Sequence, residues 1–249
     1  MNITFLGTGG WLPAVGGDSA CLLVDGTHLI DTGWYALERM TELGLDPSGI
    51  RSVTFTHLHQ DHYLGLPSLL FWFAMKRSYG PAHSKEPLVV SGPAGRVEPV
   101  LAAALDFLQV ERYPELKLPL DVRPLRPGDT LDLGSHRFET AAAFHTSGKG
   151  AREEALSLRI HSASGRYFVY TGDTHPHPSV VDFAKGAPVL IHDAAHTPGA
   201  VAATHAKAAG VERLILIHND RDAQPRALSE AQKVFPRAEY AVEGHTLEV

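Results

Sequence analysis

Short runs of apolar residues, broken by glycine, proline and polar clusters, mark out strands that alternate with helices along most of this chain. Residues 1–33 read as two or three strands joined by glycine turns. Residues 34–43 read as a helix closed by Gly44, and residues 50–56 as a short strand built on Val53 and Phe55. Leu64, Leu66, Leu69, Leu70 and Phe73 give residues 62–75 a broad apolar helical face. A polar loop is expected over 76–87, and an alanine- and leucine-rich helix over 99–110. Residues 113–140 are proline-rich and then strand-like. From 155 to 218 strands alternate with loops and one helix over 200–209. A last helix is expected to start over 229–234, before a closing strand. No repeat, linker or low-complexity segment interrupts the pattern. Alternation in both halves predicts an α/β fold, and residues 1–249 are expected to form a single domain with a large core.

One segment breaks that pattern with chemistry. His57-Leu58-His59-Gln60-Asp61-His62 puts four potential metal ligands within six residues, directly after the strand of Val53 and Phe55. A strand sends alternate side chains to one face, so His57 and His59 lean the same way and can share one ion. Asp61 and His62 lie where the chain turns into a helix, and they can reach a second ion. Imidazole and carboxylate suit zinc, and also manganese or iron. A histidine-rich surface loop has no reason to keep this order. Two open sites need further ligands, with a bridging carboxylate as the usual partner. Three later segments supply candidates: residues 140–145 end in His145, residues 166–174 contain Gly172-Asp173, and residues 214–218 end in His218. Each sets one ligand-type residue near the end of an apolar strand.

Composition agrees with a metal protein, since 15 of the 249 residues are histidine. The single cysteine, Cys21, excludes an internal disulfide and reads as buried packing. Net charge is −6 with histidines neutral, and no Lys/Arg run appears. That balance is poor for binding a phosphate backbone, so nucleic acid is not expected as a partner. The N-terminus lacks a basic leader and begins with a strand, and the apolar stretch 64–75 is too short and broken to span a bilayer. A cytoplasmic protein without membrane contact is expected.

These pieces, in this order, resemble the metallo-β-lactamase fold and, within it, the RNase Z-like phosphodiesterase branch. The likeness runs almost end to end. Phe5-Leu6-Gly7-Thr8-Gly9-Gly10 is similar to the branch's opening strand and glycine turn, and Leu29-Ile30-Asp31-Thr32-Gly33 to its next strand and turn. The HxHxDH motif is followed by Leu64-Gly65-Leu66-Pro67, then by Pro87-Leu88-Val89-Val90-Ser91-Gly92-Pro93, Thr171-Gly172-Asp173-Thr174 and Arg213-Leu214-Ile215-Leu216-Ile217-His218.

The resemblance implies a four-layer αββα sandwich with two divalent metals, most readily zinc, at one edge. It implies one metal on His57, His59 and His145, a second on Asp61, His62 and His218, and Asp173 bridging both. The implied reaction is hydrolysis by a metal-bound hydroxide, with Asp61 also placed in the catalytic machinery. In Ile191-His192-Asp193-Ala194-Ala195-His196-Thr197, His196 falls on the family's leaving-group histidine, and Asp193 stands where the family has Glu. The role of His192 is left open by the pattern. Asp31 reads as an outer residue orienting a ligand imidazole. His175 and His177, in a proline-punctuated loop, are expected to be solvated. His28, His83, His136, His161 and His245 carry no supporting pattern and are expected at the surface.

RNase Z itself inserts a long tRNA-gripping arm between the third histidine and the bridging aspartate. Only 28 positions separate His145 from Asp173 here, which leaves no room for it. Small phosphodiesters, such as cyclic nucleotides or sugar-linked diesters, become the expected substrates. The competing readings are a lactone, thioester or other ester hydrolase, tRNA 3′ processing, an iron-loaded redox enzyme, and a non-catalytic metal module. Phe144-His145-Thr146-Ser147-Gly148 departs from the Pro-Gly-His-Thr common in the lactone and thioester branches. Many relatives pair, so a homodimer is one expected assembly.

Overall fold

The protein is described by a computed structural model covering residues 1–80, 86–147 and 150–249. Its strands and helices, in chain order, are β1 (Asn2–Gly7), β2 (Cys21–Val24), β3 (His28–Ile30), α1 (Ala36–Glu42), β4 (Ser52–Thr54), α2 (Gln60–Tyr63), α3 (Leu66–Tyr79), β5 (Leu88–Pro93) and α4 (Val97–Phe107). There follow β6 (Leu120–Leu125), β7 (Thr130–Asp132), β8 (His136–Ala142), β9 (His145–Thr146), β10 (Arg152–Glu153), β11 (Leu156–Ser162), β12 (Tyr167–Tyr170) and α5 (Ser179–Phe183). The chain closes with β13 (Val189–Asp193), α6 (Gly199–Ala209), β14 (Arg213–Ile217), α7 (Gln224–Gln232), β15 (Ala238–Tyr240) and β16 (Thr246–Glu248).

Two seven-stranded mixed sheets form, in the orders β16-β1-β2-β3-β4-β5-β6 and β15-β14-β13-β12-β11-β8-β7. Alternation along each strand gives both sheets an apolar inner face. Ile3, Phe5, Leu22 and Ile30 of the first sheet pack against Phe138, Leu158, Phe168, Tyr170, Ile191 and Ile215 of the second. The outer face of the first sheet packs on α1, α3 and α4 through Leu23, Leu29, Val53, Met40, Leu66, Leu70 and Leu101. The outer face of the second packs on α5, α6 and α7 through Leu190, Leu214, Leu216, Ala203, Ala206 and Ala231. Three apolar clusters thus separate four layers, helix, sheet, sheet, helix, as the resemblance implied.

Local sequence explains where elements break. The helix expected over 62–75 is divided: α2 is a single turn carrying Asp61 and His62, and α3 restarts beyond Gly65. Pro67 sits in the first turn of α3, the one part of a helix that does not need its missing N–H. Pro225 sets the start of α7 in the same way, several residues before the expected 229. Among the described residues, no helix is long and apolar enough to cross a membrane.

Two histidines expected at the surface are core residues. His28 and His136 are 2% and 5% exposed. The His28 ring lies between Ser52 Oγ at 2.9 Å and Ser135 Oγ at 3.1 Å, and His136 Nε2 meets Asp25 Oδ2 at 2.9 Å. This network ties β3 and β4 of one sheet to β8 of the other, a contact that no local pattern announces. His161 is half-buried and stacks on Tyr167. His245 is exposed as expected, and His83 lies outside the described residues.

Burial and the neighbouring His136 hold His28 down at about 4, below its ordinary 6.5. Between those values the unfolded chain takes a proton that the folded chain refuses. Stability from the neutral ring is complete above about pH 6.5 and is lost as the pH falls toward 4. In thermal melts over that range, wild type should lose Tm more steeply than His28→Gln; parallel slopes would remove His28 as a source of acid sensitivity.

Candidate dinuclear metal site

Parallel strands deliver their C-terminal ends to one edge of each sheet, where open α/β sheets bind ligands. In the first sheet β3 and β4 run parallel, so Asp31 and the HxHxDH turn leave at the same edge. In the second, β12, β13 and β14 run parallel, and Asp173, Asp193 and His218 follow or end them there. Hydrogen bonds lock the two edges together: the Leu156 N–H donates to Thr56 O at 2.8 Å and the His218 N–H to Thr8 O at 3.0 Å. Asp31 and His218 hold left-handed backbone with φ of 57° and 62°, the kind of strain that concentrates at functional sites. Gly172 is also left-handed, with φ 57°, and a Cβ there would lie 2.9 Å from Thr56 Cβ. Glycine at 172 is what lets the Asp173 turn close over the HxHxDH turn.

The seven candidate ligands converge. His57, His59 and His145 form one compact group, and Asp61, His62 and His218 another, each with ligand atoms within 4.8 Å of one another. Asp173 lies between them, its Oδ2 at 3.7 Å from His57 Nε2 and 3.5 Å from His62 Nε2 and its Oδ1 at 3.5 Å from His218 Nδ1. His145 does not end β8, as the pattern suggested; it opens β9, three residues on.

Five atoms of this cluster, His57 Nε2, His62 Nε2, His145 Nδ1, Asp173 Oδ1 and His218 Nδ1, are buried without a hydrogen-bond partner. Native structures rarely leave so many polar atoms orphaned in one place. Divalent cations would satisfy them, so the donor set fits two such ions. Burial, with neighbouring imidazoles, holds His57 and His145 below their ordinary value, His145 at about 4. Those rings are held neutral, the form in which an imidazole can bind a cation. For His62 and His218 burial works the same way but is outweighed: Asp173 and Asp31 hold His62 well above its ordinary value, and Asp173, Asp193 and Asp61 raise His218 to about 10. A cation entering that group competes with protons.

Neighbouring residues hold the candidate ligands in place. Asp31 Oδ2 accepts from His62 Nδ1 at 3.0 Å, and its two oxygens accept the Thr56 N–H and hydroxyl at 2.8 Å each. This is the orienting contact expected of Asp31, and it aims His62 Nε2 at the cluster. Asp31→Asn suits the left-handed backbone but loses the charge. It should weaken metal affinity about 10–100-fold in a chelator competition, and unchanged affinity would deny Asp31 this role. Cys21 is buried, its thiol directed at Asp31 O, 3.3 Å away.

Asp193 Oδ2 accepts from His196 Nδ1 at 3.0 Å, and its Oδ1 lies 3.4 Å from His218 Nδ1. Burial alone would raise Asp193, but contacts with His196 and His218 pull it down to about 2. The aspartate that stands in place of the expected glutamate thus meets His196 directly. Its partner His196 is correspondingly raised against the effect of burial. His196 lines the cleft, and with Nδ1 engaged by Asp193 the ring nitrogen it has left to offer is Nε2.

Local sequence gave no signal for several neighbours. His175, expected to be solvated, is half-buried, with its ring 5.3 Å from that of His196 and its Nε2 2.9 Å from Thr146 Oγ1. His177 stacks on Phe144. His192 is buried, its Nδ1 donating to Asp193 O at 2.8 Å and its Nε2 lying 3.1 Å from His205 Nδ1. Trp11, Asn219 and Asp220 line the cleft, and no spacing rule connects them to the motif.

Two mixed sheets between helical layers, with an HxHxDH turn at their common edge, define a hydrolase of the metallo-β-lactamase superfamily in its RNase Z-like branch. Residues 1–226 match the family described as Anti-Pycsar protein Apyc1, and the chain belongs to that family. Ribonuclease Z of Methanothermobacter thermautotrophicus is 28% identical over an alignment of 308 positions that covers 100% of this chain and 97% of that protein. The alignment is longer than the 249 residues here, so that relative carries segments this chain lacks. The metallo-beta-lactamase fold protein YhfI from Bacillus subtilis superposes with a TM-score of 0.79 at 20% identity, covering 100% of this chain and 99% of that one. The short form of human tRNase Z superposes with a TM-score of 0.77 at 22% identity, covering 100% and 99%. These relatives do not support the expectation that nucleic acid is an unlikely partner.

Proposed function

We propose that this protein is a dinuclear metal-dependent phosphodiesterase acting on a small phosphodiester. The observation that carries the reading is the convergence of two ligand triads on Asp173, with His196 held beside them by Asp193. His57, His59 and His145 would hold one cation, Asp61, His62 and His218 the other, and Asp173 would touch both. Zinc suits this set of imidazoles and carboxylates, and manganese or iron would also be accepted. Bound there, two cations would activate a shared water and offset charge on the phosphoryl oxygens. Asp61 has a second carboxylate oxygen to accept the attacking water's proton. His196 receives its orientation from Asp193 and donates a proton from Nε2 to the departing oxygen. The cleft over these groups is about 290 Å³, the scale of a small ligand.

The test is hydrolysis of bis(p-nitrophenyl) phosphate by metal-quantified protein supplied with zinc or manganese. Turnover with about two metals per chain supports the reading. Two bound metals without turnover on this ester or on a 3′-extended oligoribonucleotide would move the assignment to lactone or thioester hydrolysis. A chain that binds no metal would overturn the site.

A further inference from the structure

The metal cluster explains how a phosphoryl group is held, but not what the rest of the substrate touches. Imidazoles and carboxylates dominate the cleft wall, and among the residues that line it Trp11 alone carries an aromatic hydrocarbon face. Trp11 is 64% exposed and lines the same cavity as His59, Asp61, Asp173, His196 and His218. An isolated exposed aromatic needs no explanation. Trp11, however, is exposed at the mouth of a polar metal cleft, and its backbone is fixed there. The Trp34 Nε1–H donates to Trp11 O at 3.3 Å, and the Ser19 hydroxyl donates to the preceding Gly10 O at 2.7 Å. The main chain is tied down while the indole is left uncovered.

Asp220 lines the same cavity. It is exposed, and its carboxylate makes no hydrogen bond or ion pair among the described residues. A side chain at position 10 would stand 3.0 Å from Asp220 Oδ1, so Gly10 is what lets this carboxylate approach the Trp11 loop. A flat apolar face and an acceptor-only group therefore share one wall. The complementary ligand is a planar ring with N–H or O–H donors on its edge. A further phosphate beside the ring would be repelled by Asp220.

We infer that Trp11 and Asp220 are specificity residues that read a nucleobase carried by the scissile diester, the indole stacking on its face and the carboxylate accepting from its edge. The inference rests on the phosphodiesterase reading, and its test separates the two. Steady-state kinetics would compare adenosine 3′,5′-cyclic monophosphate with methyl riboside 3,5-cyclic phosphate, the same diester without the base. Wild type should show the lower KM on the nucleotide. Trp11→Ala should raise that KM about tenfold, the scale of one lost base–aromatic stack, and leave the base-free diester unaffected. Trp11→Phe should restore most of the difference. Asp220→Ala should likewise raise KM on the nucleotide alone. In wild type the nucleotide should quench tryptophan fluorescence, and Trp11→Phe should lose that quenching.

Equal KM changes on both diesters, or a wild type indifferent to the base, would overturn the recognition pair while leaving the phosphodiesterase reading intact. If metal-loaded wild type hydrolyses neither cyclic diester nor bis(p-nitrophenyl) phosphate, the phosphodiesterase reading fails and the recognition pair falls with it.

Discussion

Asp173→Ala is expected to strip the centre of metal and activity together. The side chain is 2% exposed and lies within 4 Å of four imidazoles from three segments, those of His57 and His62, of His196 and of His218. Burial opposes its charge, yet His218, His62 and His57 hold it well below the usual carboxylate range. Removing it leaves these rings around an uncompensated hole and takes a shared oxygen donor from both triads. Bound metal should fall from about two per chain to one or none, and kcat/KM by more than the roughly 10–100-fold typical of an outer-shell residue. Asp173→Asn keeps the volume while losing the charge, so it separates ligation from packing. Elemental analysis and turnover on the same preparation would check both variants. Full metal content and full rate in either one would show that Asp173 does not bridge.

His196→Ala should separate proton transfer from metal binding. His196 contacts Asp193 and approaches Asp173, but it belongs to neither ligand triad, and its ring stacks 5.5 Å from that of His218. The variant should therefore keep its two metals. It should lose about 10²–10⁴-fold in kcat on diesters with alkoxide leaving groups, the usual range for a general acid. On p-nitrophenyl esters, whose leaving group needs no proton, the loss should be small. Asp193→Asn should show the same dependence on leaving group in weaker form, because the orienting acceptor loses its charge. An equal loss on every leaving group would assign His196 to phosphate contact instead.

The candidate ligands were legible because each occupies a position with local meaning. HxHxDH is dense enough to be read alone, and Asp173 and His218 follow apolar runs long enough to be strands. His145 was readable as a residue but not as a position. The run before it ends at Ala142 in β8, and His145 opens β9, whose pairing with β10 depends on residues further along the chain. The start of α7 was missed because Pro225 marks it, while the weaker apolar spacing after 229 drew the boundary late.

The histidines divide the same way. His28 and His136 lie in strands where alternation gives no reason to expect partners. Their burial comes from the apposition of two sheets, which brings Ser52, Ser135 and Asp25 to them. His175 was expected in solvent because prolines surround it, yet the loop folds back against His196 and Thr146.

Taken by itself, the sequence determined the layered α/β architecture and the identity of the seven metal-ligand candidates. Both are written in periodicity, strand endings and a short motif, which act over a few residues. Tertiary structure decided which imidazole Asp31 orients, that of His62. It also set Trp11 and Asp220 on one wall of the cleft and buried His28 and His136 between the sheets. Those relations join residues far apart in the chain, which only strand pairing and the apposition of the two sheets bring together.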